Sequence, residues 1–480
     1  AALRDLRTKT NKPVAAVIYT HAHFDHWGGT GALVQPGGIS IAMYAAKNFD
    51  RQEAFEQSHQ YRLVLTRAYA QLGMALPGAG VDQVGAAVGP SILPRSTTFV
   101  PPNRFIDSAE DLTIDGVRLR LIPAHVDLPE GLMVWLPDQK VLFAGDAFAG
   151  VFPALDTPRY EPVRDPRQQL QALDDALKLN PRVVVPGHGR LLLDSNDAAD
   201  VLAANRDTIQ FMIDQADRLV GKGWSADAII HRLKLPPYLV SHPDLQPFYH
   251  RRDWMIRGLV MKRAGFITEP MDLIQLDSVE EEKRIFELVG ETKLRGTANA
   301  ALEKGDARWA ARLAHILRST NPDDADAKRI FSSALVKVAE TTDSVNERSY
   351  VLTQVGVDDG RIQWDRVLAP QLLSHAASMK TLDVIKEFSA RLKAEEVGDA
   401  RFSVALKVEG DPTVYGLYLR NRVLRVDTSR TKAEGEIVLS RHLLNMLHAR
   451  QLLWSKLINR SDVRISGDQR IVRRLAQWME

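Results

Sequence analysis

The sequence predicts an α/β domain carrying a metal site, followed by an all-α domain and an α+β domain. Three observations carry that reading. Short apolar, β-branched runs recur up to residue 185, and several end in histidine or aspartate. Residues 197–345 lack strand patterns and show helical periodicity instead. Alternating runs return between Phe402 and Leu439. A chain of 480 residues is too long for one core, and the expected domains are 1–196, 197–347 and 348–480.

Composition narrows the function classes. With 45% hydrophobic and 25% charged residues the chain reads as an ordinary globular protein. A net charge of +2 argues against a dedicated nucleic-acid binder. No window approaches the roughly 18 to 20 apolar residues of a membrane span. Cysteine is absent, which excludes disulfides and thiolate metal ligands.

The first strand is Val14-Ala15-Ala16-Val17-Ile18-Tyr19, and the loop after it holds His21, His23, Asp25 and His26. Open α/β sheets bind ligands beyond the carboxyl ends of their strands. Imidazoles and carboxylates are donors that zinc accepts at roughly 2.0–2.2 Å. His21 and His23 suit one metal; Asp25 and His26, turned the other way, suit a second. Gly28 and Gly29 allow a tight turn into a helix.

Next come a Pro36-Gly37-Gly38 turn, a short strand Ile39–Ala42, an Ala-, Glu- and Gln-rich helix containing Tyr69, and a Gly-, Pro- and Ser-rich loop over 78–104. Leu112-Thr113-Ile114 and Val117 to Ile122 flank Asp115-Gly116, a hairpin signature. The loop 123–129 with His125 and Asp127 follows, then strands over 132–136 and 141–144, the latter ending at Gly145-Asp146. Val183-Val184-Val185-Pro186-Gly187-His188 is again strand, turn and histidine. Helices are expected over 201–220, 224–233 and 254–262, and a tetratricopeptide-like hairpin over 300–338. One hairpin cannot stack as a solenoid, so it is expected to pack against a partner. A linker marked by the polar stretch Thr341 to Arg348 and by Val357-Asp358-Asp359-Gly360, an amphipathic helix over 379–392, four strands between 402 and 439 and closing helices complete the chain.

The H-x-H-x-D-H string resembles the signature of the metallo-β-lactamase fold, a superfamily of mostly hydrolytic binuclear metal enzymes. The fuller string from Tyr19 to Gly29 resembles its alkylsulfatase branch. The resemblance implies an αββα sandwich whose ligand loop follows several earlier strands, so an amino-terminal portion is expected to precede Ala1. It implies two zinc ions, with His21, His23, Asp25, His26, Asp146 and His188 as ligands. Asp25 and Asp146 are the expected catalytic carboxylates, Asp146 bridging the metals. The seventh ligand is Asp127, where the branch carries glutamate, or His125, which mimics the wider superfamily's Pro-Gly-His. The losing residue would orient the winner.

Arg159 to Asp165 (Arg-Tyr-Glu-Pro-Val-Arg-Asp) sits where alkylsulfatases read Arg-Gly-Ala-x-Val-Arg-Asp. This implies that Arg159, with Arg164 and Tyr69 nearby, binds a sulfate; a guanidinium matches a sulfate edge. The alternative role for Arg159 is a surface ion pair, and for Tyr69 helix packing. The resemblance also implies a homodimer through the helical domain, a sterol-carrier-protein-like final domain, and a periplasmic or secreted location. The family's proton donor has no clear counterpart near His250, Asp253 and Trp254. Aspartates replace the branch's glutamates at 127 and 146, each one methylene shorter. The expected activity is hydrolysis of an alkyl sulfate, an anionic amphiphile. The rivals are hydrolysis of a phosphoester, lactone or thioester, and a non-catalytic lipid-binding dimer.

Overall fold

A computed structural model describes residues 2–34, 41–47, 49, 61–77, 84–89, 99–428 and 432–479. Contacts divide the chain into two units, Ala1–Glu53 with Arg67–Arg361, and Ala54–Thr66 with Ile362–Glu480. The expected boundary at 196/197 falls inside the first unit, within the helix Ser195–Val220 that begins at the Asp194 cap.

Two sheets build the first part of that unit. Strands β1 (Ala16–Ile18), β2 (Ala42–Ala46) and β3 (Arg104–Ile106) form a parallel sheet in that order. Strands β4 (Glu110–Ile114), β5 (Val117–Val126), β6 (Leu128–Leu136), β7 (Val141–Gly145) and β8 (Val183–Pro186) pair in sequence order. Only β7 and β8 are parallel, and the helix Pro166–Lys178 supplies the crossover such a pair requires. The β4–β5 turn has positive φ at both Asp115 (48°) and Gly116 (80°), as an Asp-Gly hairpin demands.

Alternation along β5 and β6 sets the layers. Leu119, Leu121, Leu132 and Val134 pack against Ala46 and Ile106 of the first sheet. Met133 and Trp135, with Leu142 and Ala144 of β7, pack against the helices Pro166–Lys178, Ser195–Val220 and Arg252–Ala264. One face of the second sheet is thus covered by strands and the other by helices, which is the expected sandwich.

The turn at 36–38, the residues Ile39 and Ser40, the start of the Ala-, Glu- and Gln-rich helix and much of 78–104 lie outside the described residues. The described strand β2 reaches Ala46, further than the expected Ile39–Ala42. The expected loop over 123–129 is mostly strand. β5 continues to Val126 and β6 begins at Leu128, with Asp127 alone between them at φ 78°. A register shift between Ala124 and Val126 accommodates it. Gly131 opposite is required, because a Cβ there would stand 2.3 Å from Val126 Cγ2.

The helical part holds Ser278–Val289, Glu291–Glu303, Ala307–Thr320 and Ala325–Thr341 around Leu294, Leu313, Leu317 and Ile330. Asp306 and Asp324 cap the two helices of the expected hairpin. The linker expected over Thr341 to Arg348 is not one. Ser344 caps a helix Val345–Asp358 that buries Asn346, Ser349 and Thr353, so its polar pattern imitates a linker while its packing does not.

In the second unit β9 (Phe402–Val408), β10 (Val414–Arg420), β11 (Val423–Asp427), β12 (Gly435–Leu439) and β13 (Arg464–Gly467) form a sheet of order β11-β10-β9-β12-β13. β9 and β12 run parallel and the other pairs antiparallel. β13 was not expected. The helix expected over 379–392 is Thr381–Lys386 followed by a 3-10 turn, Glu387–Arg391, whose last residue donates to the Leu447 and His448 carbonyls. No helix among the described residues is long and apolar enough to cross a membrane.

Candidate metal centre

Two groups of side chains meet at the carboxyl ends of β1, β5, β7 and β8. His21, His23, Asp127 and Asp146 form the first, and Asp25, His26 and His188 the second. His21 Nε2 is 3.0 Å from His23 Nδ1, and His23 Nδ1 is 3.2 Å from Asp127 Oδ2. In the second group His26 Nε2 lies 3.3 Å from His188 Nε2, which lies 3.2 Å from Asp25 Oδ2. Asp146 Oδ2 joins the groups, at 3.6 Å from His21, 3.3 Å from His26 and 3.5 Å from His188.

These spacings suit metal binding. Donors about 2.1 Å from a tetrahedral ion stand roughly 3.4 Å apart. Asp146 Oδ1 is buried with no hydrogen-bond partner. A Cβ on Gly187 would lie 2.1 Å from that oxygen and 2.8 Å from His26 Cε1, so only glycine fits beside the centre. Asp127 takes a left-handed backbone, the kind of local strain that functional sites retain. Nitrogen and carboxylate oxygen donors without thiolates match zinc among other divalent ions.

Electrostatics agree with a cation-seeking site. Burial alone would push the Asp146 carboxyl up, but His21, His26 and His188 hold it well below the usual carboxylate range. Burial acts likewise on Asp25, and His188 and His26 overcome it. His21 is fully buried and its imidazole is driven well down, hence neutral and able to donate a lone pair.

His125 is outside both groups. Its Nε2 accepts from the Asp165 backbone N–H at 3.2 Å, so Asp127 is the member of the 123–129 segment at the centre. Arg164 supports Asp127, donating to Oδ2 at 2.7 Å. Arg159 is not a surface ion pair. Its side chain, 11% exposed, lies beside the centre, with Nη2 3.3 Å from His23 Nε2 and the backbone N–H donating to Gln71 Oε1 at 2.9 Å.

The sequence reading passed over Glu161. Its carboxylate lies 2.9 Å from His23 Nε2, 3.0 Å from Arg159 Nη2 and 2.5 Å from Arg164 Nη2. Burial would raise this carboxyl, yet Arg159, Arg164 and His23 hold it well below its ordinary range. An acid between two arginines in one short string was the available signal.

A cavity of about 490 Å³ opens beside the two groups. Phe24, Leu72, Phe148, Val151 and Phe152 give it an apolar wall, and Arg159 and Arg164 reach it together with Asp25 and His188. Tyr249 lines it, whereas Tyr69 does not. Tyr69 is buried in the helix Tyr61–Gln71 without a hydrogen-bond partner, and burial pushes its phenol up to about 12. His250 is not among the lining residues. It is fully buried with both ring nitrogens unpartnered.

Residues 2–188 match the metallo-beta-lactamase superfamily, 225–356 alkyl sulfatase dimerisation, and 371–480 the alkyl sulfatase C-terminal family. A linear primary-alkylsulfatase of Pseudomonas sp. (strain ATCC 19151) is 27% identical over 81% of this chain and 75% of its own length. An (R)-specific secondary-alkylsulfatase of Pseudomonas sp. is 26% identical over 96% of this chain and 71% of its own. The solved stereoselective inverting sec-alkylsulfatase Pisa1 of Pseudomonas sp. covers all of this chain with 78% of its own, at a TM-score of 0.78 and 24% identity, a likeness of fold. From its metal-ligand loop to its last helix, the chain resembles the alkylsulfatases of the metallo-β-lactamase superfamily.

Proposed function

We propose that this chain hydrolyses sulfate esters of alkyl alcohols to the alcohol and inorganic sulfate, using two zinc ions. The observation that carries the reading is Asp146, whose Oδ2 is within 3.6 Å of donors from both ligand groups at the edge of an apolar cavity. His21, His23 and Asp127 would hold one ion, Asp25, His26 and His188 the other, with Asp146 between them. Bound there, zinc supplies Lewis acidity and lowers the pKa of the attacking water toward neutrality. Asp25 and Asp146 would be the carboxylates placed to take up a proton beside the attacking water. Arg159 offers a guanidinium to the sulfate oxygens, and Phe24, Phe148 and Phe152 take the alkyl chain out of water.

A homodimer fits the same reading. Phe266, Leu273, Ile274, Val279 and Leu288 are all exposed, Phe266 and Leu288 at 78% and 86%, inside the segment that matches alkyl sulfatase dimerisation. The second unit would be the sterol-carrier-like module, and the family resemblance suggests a periplasmic or secreted location.

One observation favours a rival. Glu161 already neutralises Arg159, which suits a less anionic ester such as a lactone or thioester. The test is inorganic sulfate release from dodecyl sulfate by zinc-loaded protein, with Asp146→Ala and Arg159→Ala beside it. Turnover lost in both variants supports the reading. No sulfate from a protein that retains two metals would redirect it to the other esters.

A further inference from the structure

The arginines that reach the cavity are not free charges. Glu161 Oε2 accepts from both Arg159 Nη2 (3.0 Å) and Arg164 Nη2 (2.5 Å), and Arg164 also donates to Asp127 Oδ2 at 2.7 Å. Two guanidiniums thus face two carboxylates, so this patch is close to neutral before any metal charge is counted. Both arginines line the cavity, whereas Glu161 is not among the lining residues and is 6% exposed. It pairs with the arginines without itself lining the cavity. Nε of Arg159 and of Arg164 are buried without a hydrogen-bond partner among the described residues.

We propose that Glu161 is a specificity-determining residue, a built-in anion that weakens the arginine seat for anionic ligands and penalises a dianion more than a monoanion. The inference deepens the sulfatase reading and rests on it for the class of ligand. Coulomb energy scales with ligand charge, so a fixed carboxylate behind the arginines opposes a dianion about twice as strongly as a monoanion at the same place. An alkyl sulfate carries one charge and inorganic sulfate two. Glu161 therefore favours departure of the product over loss of the ester. Its other oxygen accepts from His23 Nε2–H at 2.9 Å and leaves Nδ1 turned to the ligand group, so the residue that tunes the seat also orients a metal donor.

The experiment is calorimetric titration of the zinc-loaded protein with inorganic sulfate and, separately, with octanesulfonate, a monoanion that no ester hydrolysis can consume. Wild type, Glu161→Gln and Glu161→Ala are compared, with zinc per chain measured in each sample. Glutamine keeps an acceptor oxygen for His23 and removes the charge, turning an amide N–H rather than an oxygen toward the two guanidiniums, a change that both ligands meet alike. At unchanged zinc content Glu161→Gln is expected to bind sulfate roughly tenfold tighter and octanesulfonate by a smaller factor. Equal tightening for both ligands, or none, would overturn the proposal. If Glu161→Gln alone loses metal, Glu161→Ala decides by the same comparison. Loss of zinc or of folding in both variants would also overturn it, because Glu161 would then be a structural anchor. Binding is read without turnover, so failure to release sulfate from an ester leaves this test standing.

Discussion

The two ligand groups share Asp146 but are built differently. His21, His23 and Asp127 expose no more than 10% of their side chains, and Glu161 and Arg164 back them with charge-assisted hydrogen bonds. The other group is open. His188 exposes 25% and Asp25 42% of its side chain, and both line the cavity. The inner group is a rigid anchor whose donors are oriented from behind. Both groups reach the cavity, the inner one through His23 and Asp127, and the outer one presents more exposed side chains to it. One carboxylate couples the two, and that is where the comparison breaks most easily.

Asp146→Ala is expected to carry the largest effect, a loss of turnover of at least roughly a thousandfold from a protein that still folds, because both groups lose their common donor. Sulfate-release assays with circular dichroism on the same samples check it. A variant with near-native turnover would mean that the groups act independently.

Gly187→Ala comes next, at roughly 10–100-fold in metal affinity or activity. The new Cβ meets Asp146 Oδ1 and His26 Cε1, so the inner group should suffer only through Asp146. Competition with a chromophoric chelator reads the loss, which should be steeper for the more weakly held of the two ions.

A third histidine sharpens the contrast. His250 is as buried as His21 but has no carboxylate partner. Burial, with Arg164, Arg251 and Lys262, pushes its imidazole down to about 3. The unfolded chain, with a pKa of about 6.5, therefore binds this proton first as pH falls. His250 should cost no stability above about pH 6.5 and progressively more between there and about pH 3. Melting temperatures of zinc-free protein across that range should fall less steeply in His250→Gln. An unchanged slope would show that this imidazole is solvated.

Tyr69→Phe should do least. The hydroxyl is buried without a partner and away from the cavity lining, so its removal should leave activity within about twofold and stability unchanged or slightly raised. A large rise in KM would return Tyr69 to the substrate site.

Much of this was legible because local chemistry and fold agree. H-x-H-x-D-H after an apolar strand, Gly145-Asp146 at a strand end and Gly187-His188 after another each mark a loop whose side chains the fold brings together. The order of strands from Leu112 to Val185 was readable for the same reason. Other features depended on distant neighbours. Asp127 was favoured over His125 by counting against the alkylsulfatase pattern, and the physical ground appears only where β5 runs on to Val126 and Asp127 alone makes the turn. Glu161 looks like an ordinary exposed acid until Arg159 and Arg164 of its own string and His23 of the distant first ligand loop converge on it. The helix from Val345 reads as a linker because its buried positions are polar. The strand Arg464–Gly467 is four residues, too short for a periodic signal.

The central claim is that two metal ions share Asp146. The most direct measurement is metal content per folded chain, by elemental analysis after zinc loading and gel filtration, for wild type and Asp146→Ala. Two ions per wild-type chain and fewer than two in the folded variant is the predicted result. One ion or none in wild type, or two retained in Asp146→Ala, would contradict it.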